Sequence, residues 1–67
     1  MNKNKLRAVI VAHGETQEIL ADALGLPSSA LTARMNGTTA FRQNEMDIIK
    51  KRYCLNAQQM VEIFFED

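Results

Sequence analysis

Residues 16–37 read TQEILADALGLPSSALTARMNG, and the spacing of Gly, Pro and apolar residues in this stretch decides the fold. Thr16 is placed as the N-cap of a helix, with Glu18 in the first turn where the helix dipole favours an anion. Leu20, Ala21 and Leu24 form the inward stripe of that helix, and Gly25 closes it. After Leu26-Pro27, Ser28 or Ser29 starts a second short helix in which Leu31 and Met35, four apart, point inward until Asn36-Gly37 stops it. Two helices separated by so short a break have helix-turn-helix spacing. Ala21 is small enough for the two to cross closely, Gly25 can take the positive φ the turn requires, and Leu20, Leu24, Leu31 and Met35 fill the space between them. With Leu31 inward, Ser28, Ser29, Thr32, Ala33 and Asn36 lie on the opposite or lateral side, free to enter a groove. Arg34 projects away from the Ser28, Thr32 and Asn36 face and reads as a solvated or ion-paired flank.

The flanking segments repeat the same pattern. Asn4 to Ala12 carries Leu6, Val9, Ile10 and Val11 on one helical face and ends at Gly14. From about Arg42 to Tyr53, Met46, Ile49 and Tyr53 share a face, with Ile48 flanking and Phe41 just ahead. Asn56 and Gln59 fit a capping box, and Leu55 with Met60 fits a hydrophobic staple, opening a last helix from about Ala57 to Phe65. Its expected stripe is Ala57, Met60, Val61 and Phe64. No alternating β-type run occurs. The expected architecture is all-α, a compact bundle of about five short helices forming a single helix-turn-helix domain over residues 1–67.

Composition narrows the function. Sixty-seven residues form one small domain with no room for an enclosed active-site cavity. Eight Lys+Arg balance eight Asp+Glu, which excludes the strongly basic nucleic-acid binders, so any nucleic-acid site is a local patch. A single cysteine, no signal-peptide pattern and no apolar run near 18 residues lead us to expect a soluble, reduced, cytoplasmic protein without membrane contact.

Four other features have a structural reading that outweighs a chemical one. His13 and Glu15 form H-x-E without the P-C-x-x-C of zinc deaminases, so His13 reads as a helix-end histidine at the negative pole of the dipole. His13 and Cys54 are too few for a structural metal site, and Cys54 reads as a buried thiol. No G-x-S-x-G surrounds Ser28 or Ser29, so neither enzyme activity nor a cofactor is expected. Lys50-Lys51-Arg52 reads as a solvated helix end rather than a second phosphate contact. The last helix is apolar on more than one side. Phe64 closes the core there, leaving Ile63 and Phe65 as candidates for a patch between subunits or toward a partner.

Gln17, Ala21, Gly25, Leu31, Asn36-Gly37, Phe41 and Leu55-Asn56 together resemble the Cro/repressor type of helix-turn-helix domain found in phage regulators and the wider XRE-like family. The resemblance spans nearly the whole chain and implies the λ-repressor-like fold and a transcription regulator that binds operator DNA as a homodimer. By resemblance, Gln17 contacts a phosphate and braces the recognition helix, while Ser28, Ser29 and Thr32 read base edges in the major groove. Thr39 matches a loop position that also reaches a base, and Asn36, Arg42 and Lys3 match sugar-phosphate contacts that fix register. Ala33 stands where relatives often carry a longer polar or basic side chain, which removes one bidentate base contact. A competing expectation is a protein-interaction module or antirepressor, which pairs with a second phage regulator and keeps the helix-turn-helix as scaffold. Zero net charge, Ala33 and the Phe64-Phe65 end favour it.

Overall fold

In the computed structural model, which describes residues 1–66, five α-helices follow one another: α1 (Lys3–Ala12), α2 (Gln17–Leu24), α3 (Ser28–Met35), α4 (Gln43–Arg52) and α5 (Ala57–Phe64). There is no strand among the described residues, and Asp67, the last residue of the expected domain, lies outside them. Four of the five helices start where a local donor-acceptor match is available. The Asn2 side chain accepts the Lys5 amide, Thr16 accepts the Ile19 amide at 3.3 Å, and Asn56 and Gln59 exchange two bonds of 2.8 Å as a capping box. α3 has no such side-chain cap, because Pro27 occupies its N-cap with the extended backbone that a proline ring favours.

Four of the five helices are followed by a left-handed residue, which is glycine in three of them. Gly25 takes φ +72° after α2, where its amide and that of Leu26 turn back onto Asp22 and Ala21 carbonyls. The corresponding position after α4 is Cys54 at φ +54°, a left-handed conformation that crowds any Cβ. The expected buried thiol is instead exposed, since a side chain in that conformation at a helix end points outward. Cys54→Gly is therefore expected to stabilise the fold by about 0.5–1 kcal/mol, read as a rise in the urea midpoint at unchanged m-value. A fall in midpoint would show that the turn is unstrained.

The core is built from Leu6 and Ile10 of α1, Leu20 and Ala21 of α2, Leu31 and Met35 of α3, Ile49 of α4, Ile63 of α5, and Tyr53 and Leu55 from the α4–α5 turn. α2 packs most extensively on α3, α1 lies against α2 and α5, and α4 closes on α2. The chain start is tied to the last helix. The Asn2 amide donates to the Ile63 carbonyl at 2.7 Å, and Lys5 pairs with Glu62 at 3.8 Å.

Two apolar stripes differ from expectation. α5 is rotated so that Ile63, 2% exposed, enters the core with Met60 and Phe64 half-buried beside it, while Val61 and Ala57 stay outside. Four consecutive residues of which three are apolar left the inward direction open, and the neighbours α1 and α4 choose it. Val11 is exposed because Leu6 and Ile10, four apart, already fill the α1 seam.

Candidate nucleic-acid interface

The outward face of α3 is made by Ser28, Ser29, Thr32 and Asn36, all exposed, which fall within about 100° of arc on a helix of 3.6 residues per turn. The other side of α3 is buried, with Arg34 facing away from the hydroxyls and Leu31 and Met35 beside it, so the outward face is fixed by its own inner side. The described residues make no hydrogen bond to the hydroxyls of Ser28 and Ser29. The Thr32 hydroxyl donates to the Ser28 carbonyl at 3.0 Å, within its own helix. Its proton is thereby committed, and the oxygen lone pairs and the methyl group remain outward.

Lys3 and Asn36 meet at one corner of this face, where the Lys3 ammonium donates to Asn36 Oδ1 at 3.3 Å. Thr38 and Thr39 amides donate to the Ala33 carbonyl at 3.0 and 3.3 Å, which folds the loop back onto the C-terminal half of α3. Thr39 is exposed there. Arg42 is exposed at the start of α4, and Gln17 is half-buried at the start of α2 beside Arg7, Ile10 and Val11. No side-chain bond among the described residues joins Gln17, Thr39 or Arg42 to the other candidates.

Arg34 is the residue whose role the sequence left open. Its side chain is 8% exposed, and Nε donates to Glu45 Oε1 at 2.8 Å while Nη1 donates to the Ala30 carbonyl at 3.3 Å. It is ion-paired but not solvated. Glu45, the third residue of α4, is equally buried and accepts the Arg42 backbone amide at 3.0 Å through the same oxygen. One carboxylate therefore joins α3 to the first turn of α4. The signal in the sequence was Glu45 three residues after a helix start, the acceptor half of a capping box.

A second polar cluster lies at the other end of α4. Glu15 accepts from Arg52 Nε and Nη2 at 2.9 and 2.7 Å and from the Tyr53 hydroxyl at 2.9 Å, and the His13 ring lies 5.0 Å from the Tyr53 ring. Arg52 therefore differs from its exposed neighbours Lys50 and Lys51, being held by Glu15 rather than free in solvent. No group of three metal-ligating side chains occurs among the described residues.

The Arg52 fork, with the Tyr53 hydroxyl, lowers the Glu15 pKa below its ordinary 4.5, and burial together with Glu15 pushes Tyr53 up to about 12. A lowered carboxylate stabilises the fold above pH 4.5, and that contribution is lost as pH falls through the folded value. A raised phenol stabilises it below pH 10 and loses its contribution as pH rises toward 12. Stability measured against pH is expected to decline beyond 10, and Tyr53→Phe to remove that decline while Glu15→Gln removes part of the acid one. An alkaline decline that persists in Tyr53→Phe would contradict the assignment.

Expectations about the patch on α5 divide. Ile63 belongs to the core and offers nothing to a partner. Phe65 is 70% exposed, at the rim of a mostly apolar groove of about 250 Å³ lined by Met1, Phe41, Met46 and Phe64 and, from α3 and the loop after it, by Arg34, Gly37, Thr39 and Ala40. Phe41 and Phe64 meet edge to face at 5.2 Å at its base. No helix among the described residues is long and apolar enough to cross a membrane. No protein-family model matches the chain, and neither the curated proteins nor the solved structures compared with it give a match.

Proposed function

We propose that the chain is a transcription regulator that binds duplex operator DNA as a homodimer, with α3 in the major groove. The observation that carries this reading is the α3 face: Ser28, Ser29 and Thr32 are exposed, small and hydroxylic on a helix anchored from behind by Leu31 and Met35. A major groove about 12 Å wide admits a helix with short outward side chains close to the base edges. Ser28 and Ser29 can donate or accept there, whereas Thr32, its proton engaged by Ser28, accepts from an adenine or cytosine amino group or meets a thymine methyl. Thr39 reaches a neighbouring base from the loop. Lys3, Asn36, Arg42 and Gln17 hold the sugar-phosphate backbone on either side.

One helix contacts only a few base pairs, so two subunits on half-sites about 34–36 Å apart are needed for selectivity. Phe65 and the groove beside it supply the pairing surface, with Asp47 and Lys50 of α4 at the edge next to Phe65. Promoter occlusion by the bound dimer is the mechanism. Selection of genomic fragments followed by footprinting is expected to show paired protections one helical turn apart. Protection of a single short stretch, or none, would overturn the reading.

The same groove also favours a second reading, a module that pairs with another regulator and binds DNA weakly or not at all. Phe65→Ser separates the two. For a DNA-binding homodimer, sedimentation is expected to shift the variant to monomer and duplex affinity to fall at least tenfold. A wild-type chain that is already monomeric and lacks duplex affinity, yet co-purifies with a repressor, supports the module.

A further inference from the structure

Arg34 and Glu45 are the buried charged residues of the core, at 8% and 4% exposure, and their bond connects the helix proposed to read bases with the helix that presents Arg42. We infer that this pair is the positioning device of the interface. It sets where the α3 face stands relative to the α3–α4 loop and Arg42, and it governs discrimination between DNA sequences rather than the general affinity for duplex. The inference rests on the proposed function and adds residues that touch no base or phosphate.

Three contacts converge on the pair. The Arg34 fork is fixed at both ends, to Glu45 Oε1 at 2.8 Å and to the Ala30 carbonyl one turn back in α3 at 3.3 Å. The same Glu45 oxygen holds the Arg42 amide at 3.0 Å, so the backbone of a phosphate contact is set by the atom that holds the reading helix. Between them the loop contributes Thr39, whose amide is bonded to Ala33 of α3. Base readout requires hydrogen-bond geometry good to a fraction of an ångström, whereas attraction to phosphates tolerates displacement. Loosening the joint therefore costs selectivity first. A fork with two fixed ends is a task for arginine, since lysine offers a point charge without the planar donors.

The test is the double substitution Arg34→Met/Glu45→Met, which removes both charges together and replaces them with apolar side chains of similar length. Thermal unfolding is expected at or above the wild-type midpoint. Hydrogen exchange of the Arg42, Thr38 and Thr39 amides is expected to quicken at least tenfold. The ratio of specific to non-specific duplex affinity is expected to fall at least tenfold, with the non-specific affinity and its salt slope unchanged. Glu45→Gln, which keeps an acceptor for both donors but leaves the Arg34 charge unpaired, is expected to lower stability while preserving most of the ratio in the folded protein. Should the double variant fail to fold, Arg34→Lys replaces it, and loss of the ratio with charge retained carries the same meaning.

An unchanged ratio and unchanged amide exchange in a folded variant overturn the inference. So does a salt slope reduced by about one, because Arg34 would then be a phosphate contact itself. A wild-type chain that binds no duplex removes the proposed function instead, and amide exchange then decides on its own whether the pair positions the loop.

Discussion

Arg34→Met alone is expected to lower the unfolding free energy by about 3–5 kcal/mol, because it leaves a buried carboxylate without its cation. Glu45 would retain only the Arg42 amide as a partner at 4% exposure. Sixty-seven residues at roughly 0.05–0.15 kcal/mol each give about 3–10 kcal/mol in total, so the single variant is expected to lose from about a third to all of its stability. The contrast with Arg34→Met/Glu45→Met carries the meaning. Removal of both charges returns all of that loss or more, since the desolvation penalty disappears with the attraction. Urea titrations of the two variants measure it. A single variant losing under about 1 kcal/mol would mean that water reaches the carboxylate, and the pair would then resemble an ordinary surface bridge.

Leu31→Ala is the second large effect, about 2–5 kcal/mol from lost burial plus the cavity left behind. Leu31 is fully buried between α2 and α3, the most extensive helix pairing in the molecule, and its loss removes the wall on which the α3 face stands. The expected result is a lower urea midpoint together with loss of duplex affinity in whatever folded fraction remains. Leu31→Met, which conserves volume, is expected to cost under about 1.5 kcal/mol and to retain binding. Equal stability of the Ala and Met variants would place Leu31 outside the packed interface. Stability and the proposed readout are coupled through this one position because Leu31 anchors the same two-turn helix that carries the hydroxyl face.

Periodicity and capping chemistry were enough to place all five helices. Thr16, Gly25 and the Asn56–Gln59 box set boundaries within a residue or two, since short-range donor-acceptor matches act before any tertiary contact forms. The outward face of α3 followed from Leu31 and Met35 alone, four apart on a short helix. What remained hidden depends on neighbours. The rotation of α5 could not be read because Val61, Ile63 and Phe64 offer two competing stripes, and only the seats provided by α1 and α4 decide that Ile63 enters the core. Burial of Arg34 needed Glu45, eleven residues later and on another helix, to be opposite it. Cys54 looked like a core thiol by residue type, yet its backbone conformation is set by the turn after α4, where the side chain is carried outward.

Recognition of duplex by the exposed hydroxyl face of α3 is the premise of the proposed function. Fluorescence anisotropy of the selected duplex at 50 and 200 mM salt measures that, with wild type beside Gln17→Ala/Thr32→Ala, both confirmed folded by circular dichroism. Lys3 and Arg42 supply two cations per subunit and four per dimer, so the salt slope is expected near −3.6 and affinity to fall by about two orders of magnitude between the two salts. The double variant is expected to lose at least tenfold in its preference for the selected over a scrambled duplex, the residual preference being carried by Ser28, Ser29 and Thr39. Binding that ignores salt, or a sequence preference undiminished in the double variant, would contradict the assignment of α3 as the reading helix.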